Sequence, residues 1–518
     1  MTNTTPELSW PSSGQPEAEP VDSGSAKSPF AAITVRDYIT DALALVLLTI
    51  SLFLHWRLAS PGSGGDSSLA VGRIDVLLAT IISMLSLGLS YIWRSGAFGT
   101  AWNYRKMQDL RLLANAPYLL MVVGYLIVEL VNPKGLGTAV AFGLAGAVLA
   151  ATPRQAELGD PAVDTARDRR WLSALLGLAG LCVVAGLVEI VRFVAIGRTL
   201  PLGPLYLMSP ILLGLFTPVL FSVVAVKISL KSNPWRLVGL GVGAAGLLLA
   251  FISLPPASRV VAGLYGSSPT FSVAFWMAFG AIAAAPSLER RMVHQPAQET
   301  WQAVLSAVLK LGMAASAGVA LVALVNLIRV LFTEKYVLRH FQETPFIWVF
   351  TLILAMLGIA AFVAAAAALK RGTRDGRKLG TTCAAIVFVL FLVLVMVGPK
   401  TLSWGLSGPA VILAIVFPAA ILAILWAPKS MREHFGAVSV ANAGFSFEGV
   451  PRTSVLVAEA ANPATSHARL HELAAAYPQT HAAIASNPST YPELLRWLEY
   501  VGSTGASSAV HDALHKDS

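Results

Sequence analysis

FIWVFTLILAMLGIAAFVAAAAAL, residues 346–369, runs for 24 positions without a charged side chain. As a helix it rises about 36 Å at 1.5 Å per residue, more than the roughly 30 Å of hydrocarbon in a bilayer. In hydrocarbon every backbone amide must pair within the chain, and this run lacks the period-two alternation of a barrel strand, so helix is the form left to it. Working outward, similar windows fall near 38–56, 74–93, 112–131, 136–152, 171–193, 205–227, 236–254, 270–286, 303–331, 380–398 and 409–427. With 346–369 they make twelve; the shortest, 136–152 and 270–286, are rich in Gly and Ala. The sequence therefore predicts an all-α fold, a polytopic transmembrane helix bundle of about twelve spans over residues 34–428.

Composition agrees. The 518 residues are 55% hydrophobic and 13% charged, with a mean hydropathy of +0.67; a soluble chain carries about a quarter of its residues charged. The net charge of +9 comes from residues in short connections between apolar windows, a pattern that orients a chain in a lipid bilayer and not one that binds nucleic acid. Cys182 and Cys383 both lie inside windows and read as small buried hydrophobes. So placed, they build neither a disulfide framework nor a thiolate metal site. No cofactor is expected. Residues 1–33, rich in Pro, Ser, Gly and acids, read as a disordered tail without the basic start and apolar core of a cleavable signal.

Lys and Arg in the second, fourth, sixth, eighth and tenth connections outnumber those in the alternate ones, flanking Arg57, Arg73, Arg192 and Arg329 included, by 18 to 10. Under the positive-inside rule this places both termini in the cytoplasm and the chain in the plasma membrane. An even number of spans also puts both termini on one side. Every outward connection is short, so any site lies between helices, in the connections or in the C-terminal region.

A duplication is written faintly across the windows. "RDRRWL" at 167–172 enters the fifth and "RDGRKL" at 374–379 the eleventh; "RTLPLG" at 198–203 and "KTLSWG" at 400–405 leave them. The next windows each hold two prolines, Pro210 with Pro218 and Pro409 with Pro418. Two parallel blocks of six, or chance recurrence of basic loops and Pro-kinked helices, both account for these matches.

Ionisable residues at membrane depth are costly and point to function. His55, Glu129, Glu189 and Arg192 fall near the outer ends of windows one, three and five, and Asn326 and Arg329 near that of window nine. Glu189 and Arg192 are three apart, on one helix face. One reading is an outward-facing polar cavity, the carboxylates holding a cation or proton and an arginine holding an anionic group. The other is that these residues end helices and snorkel to the interface. Asp41 sits just inside the inner end of window one. Lys310 lies either within window nine or at its surface, because the apolar run 301–332 exceeds one untilted span. "GLGVGAAG" at 239–246 and "AAFVAAAAAL" at 360–369 provide small faces for close helix contact.

Beyond Pro428 the apolar windows stop, and a linker over 429–450 leads to a second motif. "AANPAT" at 460–465 returns as "ASNPST" at 485–490, a period of 25 residues; Leu470 and Leu473 return as Leu495 and Leu498. Asn462 and Asn487 precede prolines and so end helices. Thr490 with Glu493 forms a capping box, and Pro492 suits a first helical turn. These residues resemble the variant leucine-rich repeat. With "RDYITDALALVLL" at 36–48, the whole chain is similar to actinobacterial multi-pass membrane proteins that end in such repeats, an origin that the excess of Arg over Lys and the abundant Ala fit. The resemblance implies a small cytoplasmic helical module over 451–501 and supplies no catalytic residue.

Repeat arrays need about three units, and this one has two, so its apolar and asparagine positions are expected to be completed by the membrane domain, a second copy or a partner protein. Residues 502–518 read as a disordered end. His467 and His471, four apart, have metal-pair spacing but lack an evident third ligand on their face, and polar repeat surface is the competing reading. A scaffold with an interaction module heads the functional readings. A transporter of a small molecule, ion or lipid with a regulatory tail is second. A membrane transferase using Asp41 or Asp75 comes third.

Overall fold

The computed structural model describes residues 30, 33–56, 69–99, 102–131, 137–199, 204–252, 269–332, 344–397, 410–442 and 453–501. Their regular elements are helical, apart from two isolated bridges, His55 with Leu69 and Ser232 with Val293. The chain divides into two compact units, Met1–Ser439 and Val440–Ser518.

In the first unit helix occupies every apolar window. α1 is Val35–Phe53, α2 Ile74–Leu87, α3 Leu89–Arg94, α4 Tyr104–Val131, α5 Thr138–Ala151, α6 Thr165–Thr199, α7 Pro204–Ser229 and α8 Asn233–Ile252. There follow α9 Pro269–Ala283, α10 Pro286–Glu289, α11 Ala297–Leu331, α12 Pro345–Lys370, α13 Arg374–Val397 and, after a π-helical turn at Ile412–Val416, α14 Phe417–Trp426. Seven helices among the described residues are long and apolar enough to cross a membrane, or eight if the bent pair Ile412–Trp426 and Lys429–Phe435 counts as one. α1 falls short because Arg36, Asp37 and Asp41 occupy its first two turns, and α5 and α9 because they have 14 and 15 residues.

Helix ends meet in an alternating pattern. The starts of α1 and α4 and the end of α3 all bond to the connection after α5: Gln155 N donates to Asp37 Oδ1 at 2.7 Å, Gln108 Nε2 to the Glu157 carbonyl at 2.7 Å, and Arg94 to the Ala156 carbonyl. The starts of α6 and α8 meet the connection after α9 through Arg290–Asp168 and Arg236–Glu289 pairs. Successive windows thus run in opposite directions, with one set of ends gathered together. At the other end Gly137 N donates to the Trp56 carbonyl at 2.9 Å.

α5 explains its own composition. Every residue from Ala139 to Ala151 is buried, so no face is left for charged side chains, and small residues alternate with Phe142, Leu144 and Leu149. α1, α4 and α9 pack around it. A Cβ on Gly143 would overlap the Tyr118 hydroxyl, and one on Gly146 would lie 2.8 Å from the Leu48 side chain. The short window 136–152 is an enclosed helix of the bundle. The glycine run at 239–246 acts similarly: Gly239, Gly243 and Gly246 of α8 face Phe279, Gly280 and Trp276 of α9, and a Cβ on Gly243 would sit 2.5 Å from Gly280 Cα. On α12, Ala361, Ala365 and Ala368 are buried, while Gly312 of α11 receives Phe362 and Gly358 receives Phe391.

α11 begins at Ala297 and is 35 residues long, about 52 Å. Lys310 is exposed on it. The uncharged run 311–328 that follows Lys310 is about 27 Å long, so Lys310 marks one end of the apolar stretch. The π turn in the last window sits where Pro418 removes a backbone donor. The stretch read from sequence as a linker from 429 is instead helical at its start: α15, Lys429–Asn442, begins across a bend of 77° and buries Met431 and Phe435. His434 on it bonds Gln298 at 2.8 Å and Gln302 at 3.0 Å, both near the start of α11.

The two RD motifs have different roles. Asp168 is buried against Arg290, whereas the Asp375 side chain is 93% exposed with Lys378 at 3.8 Å. Pro218 packs against Gly186, while residues 200–203 and 400–409, with Pro409, lie outside the described residues. So do 502–518 and all of 1–33 but residues 30 and 33, the two stretches expected to be disordered.

In the second unit, α16 Thr453–Ala461, α17 His467–Ala476, α18 His481–Ala485 and α19 Pro492–Val501 enclose a core that includes Leu456, Leu470, Leu473, Ile484, Leu495 and Leu498. The 25-residue period holds atom by atom. Thr465 Oγ1 donates to the Glu459 carbonyl and Thr490 Oγ1 to the Ile484 carbonyl; Ala464 N donates to Asn462 Oδ1 at 3.0 Å and Ser489 N to Asn487 Oδ1 at 2.9 Å.

The glycine contacts give a paired test. Gly243→Ala should lower stability by about 1–3 kcal/mol, the range of an overpacked core. Gly241→Ala, whose added carbon meets nothing within 4 Å, should be neutral or raise stability by a few tenths of a kcal/mol. Thermal unfolding of both variants in detergent measures the difference; equal losses would contradict the α8–α9 contact.

Candidate functional site

The gathered helix ends form a belt of ion pairs centred on the connection 152–164. Asp37 and Asp41, four apart on α1, point their carboxylates into it. Asp37 completes a capping box with Thr34, which suits an acid in the first turn of a helix, and accepts from Gln155 N and Ala156 N. Arg154 donates through Nε to Asp41 Oδ1 at 2.8 Å and through Nη1 to the Leu149 and Thr152 carbonyls at 3.0 and 2.8 Å. It thereby caps the C-terminus of α5 with a cation, the sign that the helix dipole favours there.

A second guanidinium lies deeper. Arg111 of α4 is fully buried and reaches Glu157 Oε1 at 3.2 Å and the Ser90 hydroxyl through Nη2. Asp41 lies 3.9 Å from its Nη1, and Tyr91 donates its hydroxyl to Asp41 Oδ2 at 2.9 Å. Asn115, one turn further along α4, donates to Ser86 Oγ at 2.8 Å. Two arginines and two carboxylates are thus out of water together, which removal of either partner would leave unbalanced.

Two more pairs extend the belt. Glu289 bridges Arg36 and Arg236, the latter at 3.0 Å. Arg290 holds Asp168 and donates to the Gly159 carbonyl at 2.8 Å, while Arg105 reaches Asp164 at 3.2 Å. This chemistry is that of a lock on helix ends. The Ser90 hydroxyl donates to Glu157, but it is buried and also bonded by Arg111, and most of the belt's donors and acceptors are occupied by one another.

The residues singled out from sequence are scattered. His55 is exposed near the opposite end, where its carbonyl accepts from Ala139 N at 3.2 Å. Glu129 lies on α4 and Glu189 and Arg192 on α6, but their side chains are outside the described residues. Asn326 and Arg329 do come together, both buried: Arg329 Nε donates to Asn326 Oδ1 at 3.1 Å, and Asn326 Nδ2 to Ser209 Oγ at 2.7 Å. Arg111 and Arg154, counted by sequence as orienting charges, are core residues instead. The spacing of Asp37 and Asp41 on one helix face was the available signal, since two carboxylates there need cations.

In the repeat unit the functional geometry is an asparagine bridge. Asn487 is buried and donates from Nδ2 to the carbonyls of Ala460 and Asn462, at 2.8 and 2.9 Å, so one repeat's turn is tied to the previous one. Its counterpart Asn462 is exposed. Arg469 bonds Glu459 at 2.8 Å and holds that carboxyl below the usual glutamate range. His467 lies tilted against Tyr491, ring centres 5.1 Å apart, and buried His481 bonds the Ala474 carbonyl through Nε2 at 2.8 Å. Trp497, Tyr500 and Val501 of α19 are exposed.

The family described as Domain of unknown function (DUF7937) matches residues 37–434, from Asp37 in the belt to His434 on α15. The chain belongs to that family. The Leucine Rich Repeat Variant domain matches residues 455–517. No curated protein and no solved structure matches the chain. The end of the first match agrees with the packing of α15 against Gln298 and Gln302, which joins its first turns to the bundle.

Two substitutions test these sites. Arg154→Leu strands Asp41 away from water and should cost about 3–5 kcal/mol, read as a fall in the thermal midpoint of the purified chain. Asn487→Ala leaves two carbonyls unpaired and should destabilise the repeats by about 2–3 kcal/mol, while Asn462→Ala should cost about 1 kcal/mol or less. Hydrogen exchange of α16–α19 in the full chain resolves the two; equal effects would rule out the bridge.

Proposed function

We propose that this chain is a polytopic plasma-membrane protein, both termini cytoplasmic, whose bundle carries the repeat unit as a docking module for a protein partner. The open asparagine bridge carries this reading. Between the two turns Asn487 Nδ2 donates to the Ala460 and Asn462 carbonyls and Ser489 Oγ to the Pro463 carbonyl, while Asn462 is exposed and α19 exposes Trp497 and Tyr500. An array with so few stacked contacts gains stability from a surface that continues it. The membrane placement is supported by the seven apolar helices, by their alternating directions and by the bias of Lys and Arg toward the belt end.

A photo-crosslinking amino acid at position 500 of the full chain, irradiated in intact cells, tests the module. The expected result is one discrete protein adduct that disappears when Leu495→Asp disrupts the repeat core. No adduct, or one unaffected by Leu495→Asp, overturns the docking reading. Protease added outside intact cells should leave residues 451–501 uncut.

A transport function has one observation in its favour, the buried contact of Asn326, Arg329 and Ser209. It expects Arg329→Gln to abolish the chain's cellular role while truncation after residue 450 leaves it intact. The docking reading expects the reverse.

A further inference from the structure

Beside the belt, a cleft of about 140 Å³ opens between the starts of α4 and α6 and the end of α5. Two arginines and one carboxylate line it, together with Trp171 and an apolar wall that includes Leu112, Ala151 and Ala174. Asp109 is spent on Arg167, which it holds by two bonds of 2.8 Å, and touches Arg170 at 3.3 Å through one nitrogen. One positive charge is left over, and the Arg170 side chain that brings it is 59% exposed.

The position along α6 says which anion fits. Arg170 is the last charge before the uncharged run 171–188, so the cleft straddles the change from charged to apolar helix. Below it the flank stays apolar and open: Leu113 is 68% exposed and Leu176 40%. A small free anion has no use for such a wall. A molecule with an anionic head and a hydrocarbon body meets both parts, and Trp171 sits at the level where interfacial aromatics belong.

We infer that this cleft is a binding site for an acidic glycerophospholipid of the adjoining leaflet, its phosphate on Arg170 and an acyl chain along Leu112 and Ala174. Basic pockets between helix ends at the cytoplasmic face recognise anionic head groups in this way. The inference rests on the membrane placement proposed above.

Native mass spectrometry of the delipidated full chain in detergent, titrated with palmitoyl-oleoyl phosphatidylglycerol, tests it. The wild type should bind this lipid at least about ten-fold more tightly than palmitoyl-oleoyl phosphatidylcholine, and Arg170→Gln should weaken it about ten-fold, the loss of one charge-assisted contact. Arg169→Gln removes the same charge from the neighbouring exposed residue outside the cleft and should bind like wild type. Equal binding of the two lipids, normal binding by Arg170→Gln or an equal loss in Arg169→Gln overturns the site. Displacement of the lipid by millimolar inorganic phosphate would show a free-anion site and overturn it too. Alkaline carbonate extraction of cell membranes separates the two levels. If the wild-type chain washes off, the membrane placement fails; if it stays and Arg170→Gln binds normally, only the cleft assignment fails.

Discussion

A guanidinium keeps its proton throughout the physiological range, so an arginine removed from water must be met by anionic and carbonyl oxygens. Arg154 meets this demand with Asp41 and the Leu149 and Thr152 carbonyls, and Arg111 meets it at Nη2 alone, through Glu157 and Ser90; the geometry of the bundle follows from these pairs. The connection 152–164 supplies Arg154 and Glu157, α1 supplies Asp41 and α4 supplies Arg111. These pairs fix where α1 and α4 start relative to the end of α5. The Arg290–Asp168 and Arg236–Glu289 pairs then draw α6, α8 and α9 to the same level. Ends of opposite polarity held in one plane make an up-and-down bundle the available arrangement.

Between the ends, contact depends on what the helices leave out. Lipid tails are as apolar as leucine, so helices in hydrocarbon associate through close packing more than through burial of greasy surface. α5, enclosed on every side, uses Gly143 and Gly146 where Tyr118 and Leu48 come close, and α8 meets α9 where Gly243 and Gly280 allow the backbones to touch. Large residues such as Phe362 and Phe391 fill the notches left by Gly312 and Gly358.

Much of this was legible in the sequence. The windows locate the helices because apolar length is a coarse property that tertiary contacts do not alter, and the 25-residue recurrence of Asn462 and Leu470 forecasts the repeat unit down to its turns. The belt was not legible, for a physical reason. A lone Arg154 after a proline reads the same whether it faces water or a carboxylate more than a hundred positions away. Window 136–152 looked marginal because its composition answers to neighbouring helices, which no local pattern displays. The first turns of α15 look like linker because the residues that make them helical, Met431 and Phe435, gain their value from packing on the bundle.

The bridge made by Asn487 engages only main-chain oxygens, those of Ala460 and Asn462. Carbonyls are common to all residue types, so the side chains around each turn can drift without loosening the joint. A module joined this way can gain or lose whole increments in evolution by gene-segment duplication, while the helices that precede it need not change.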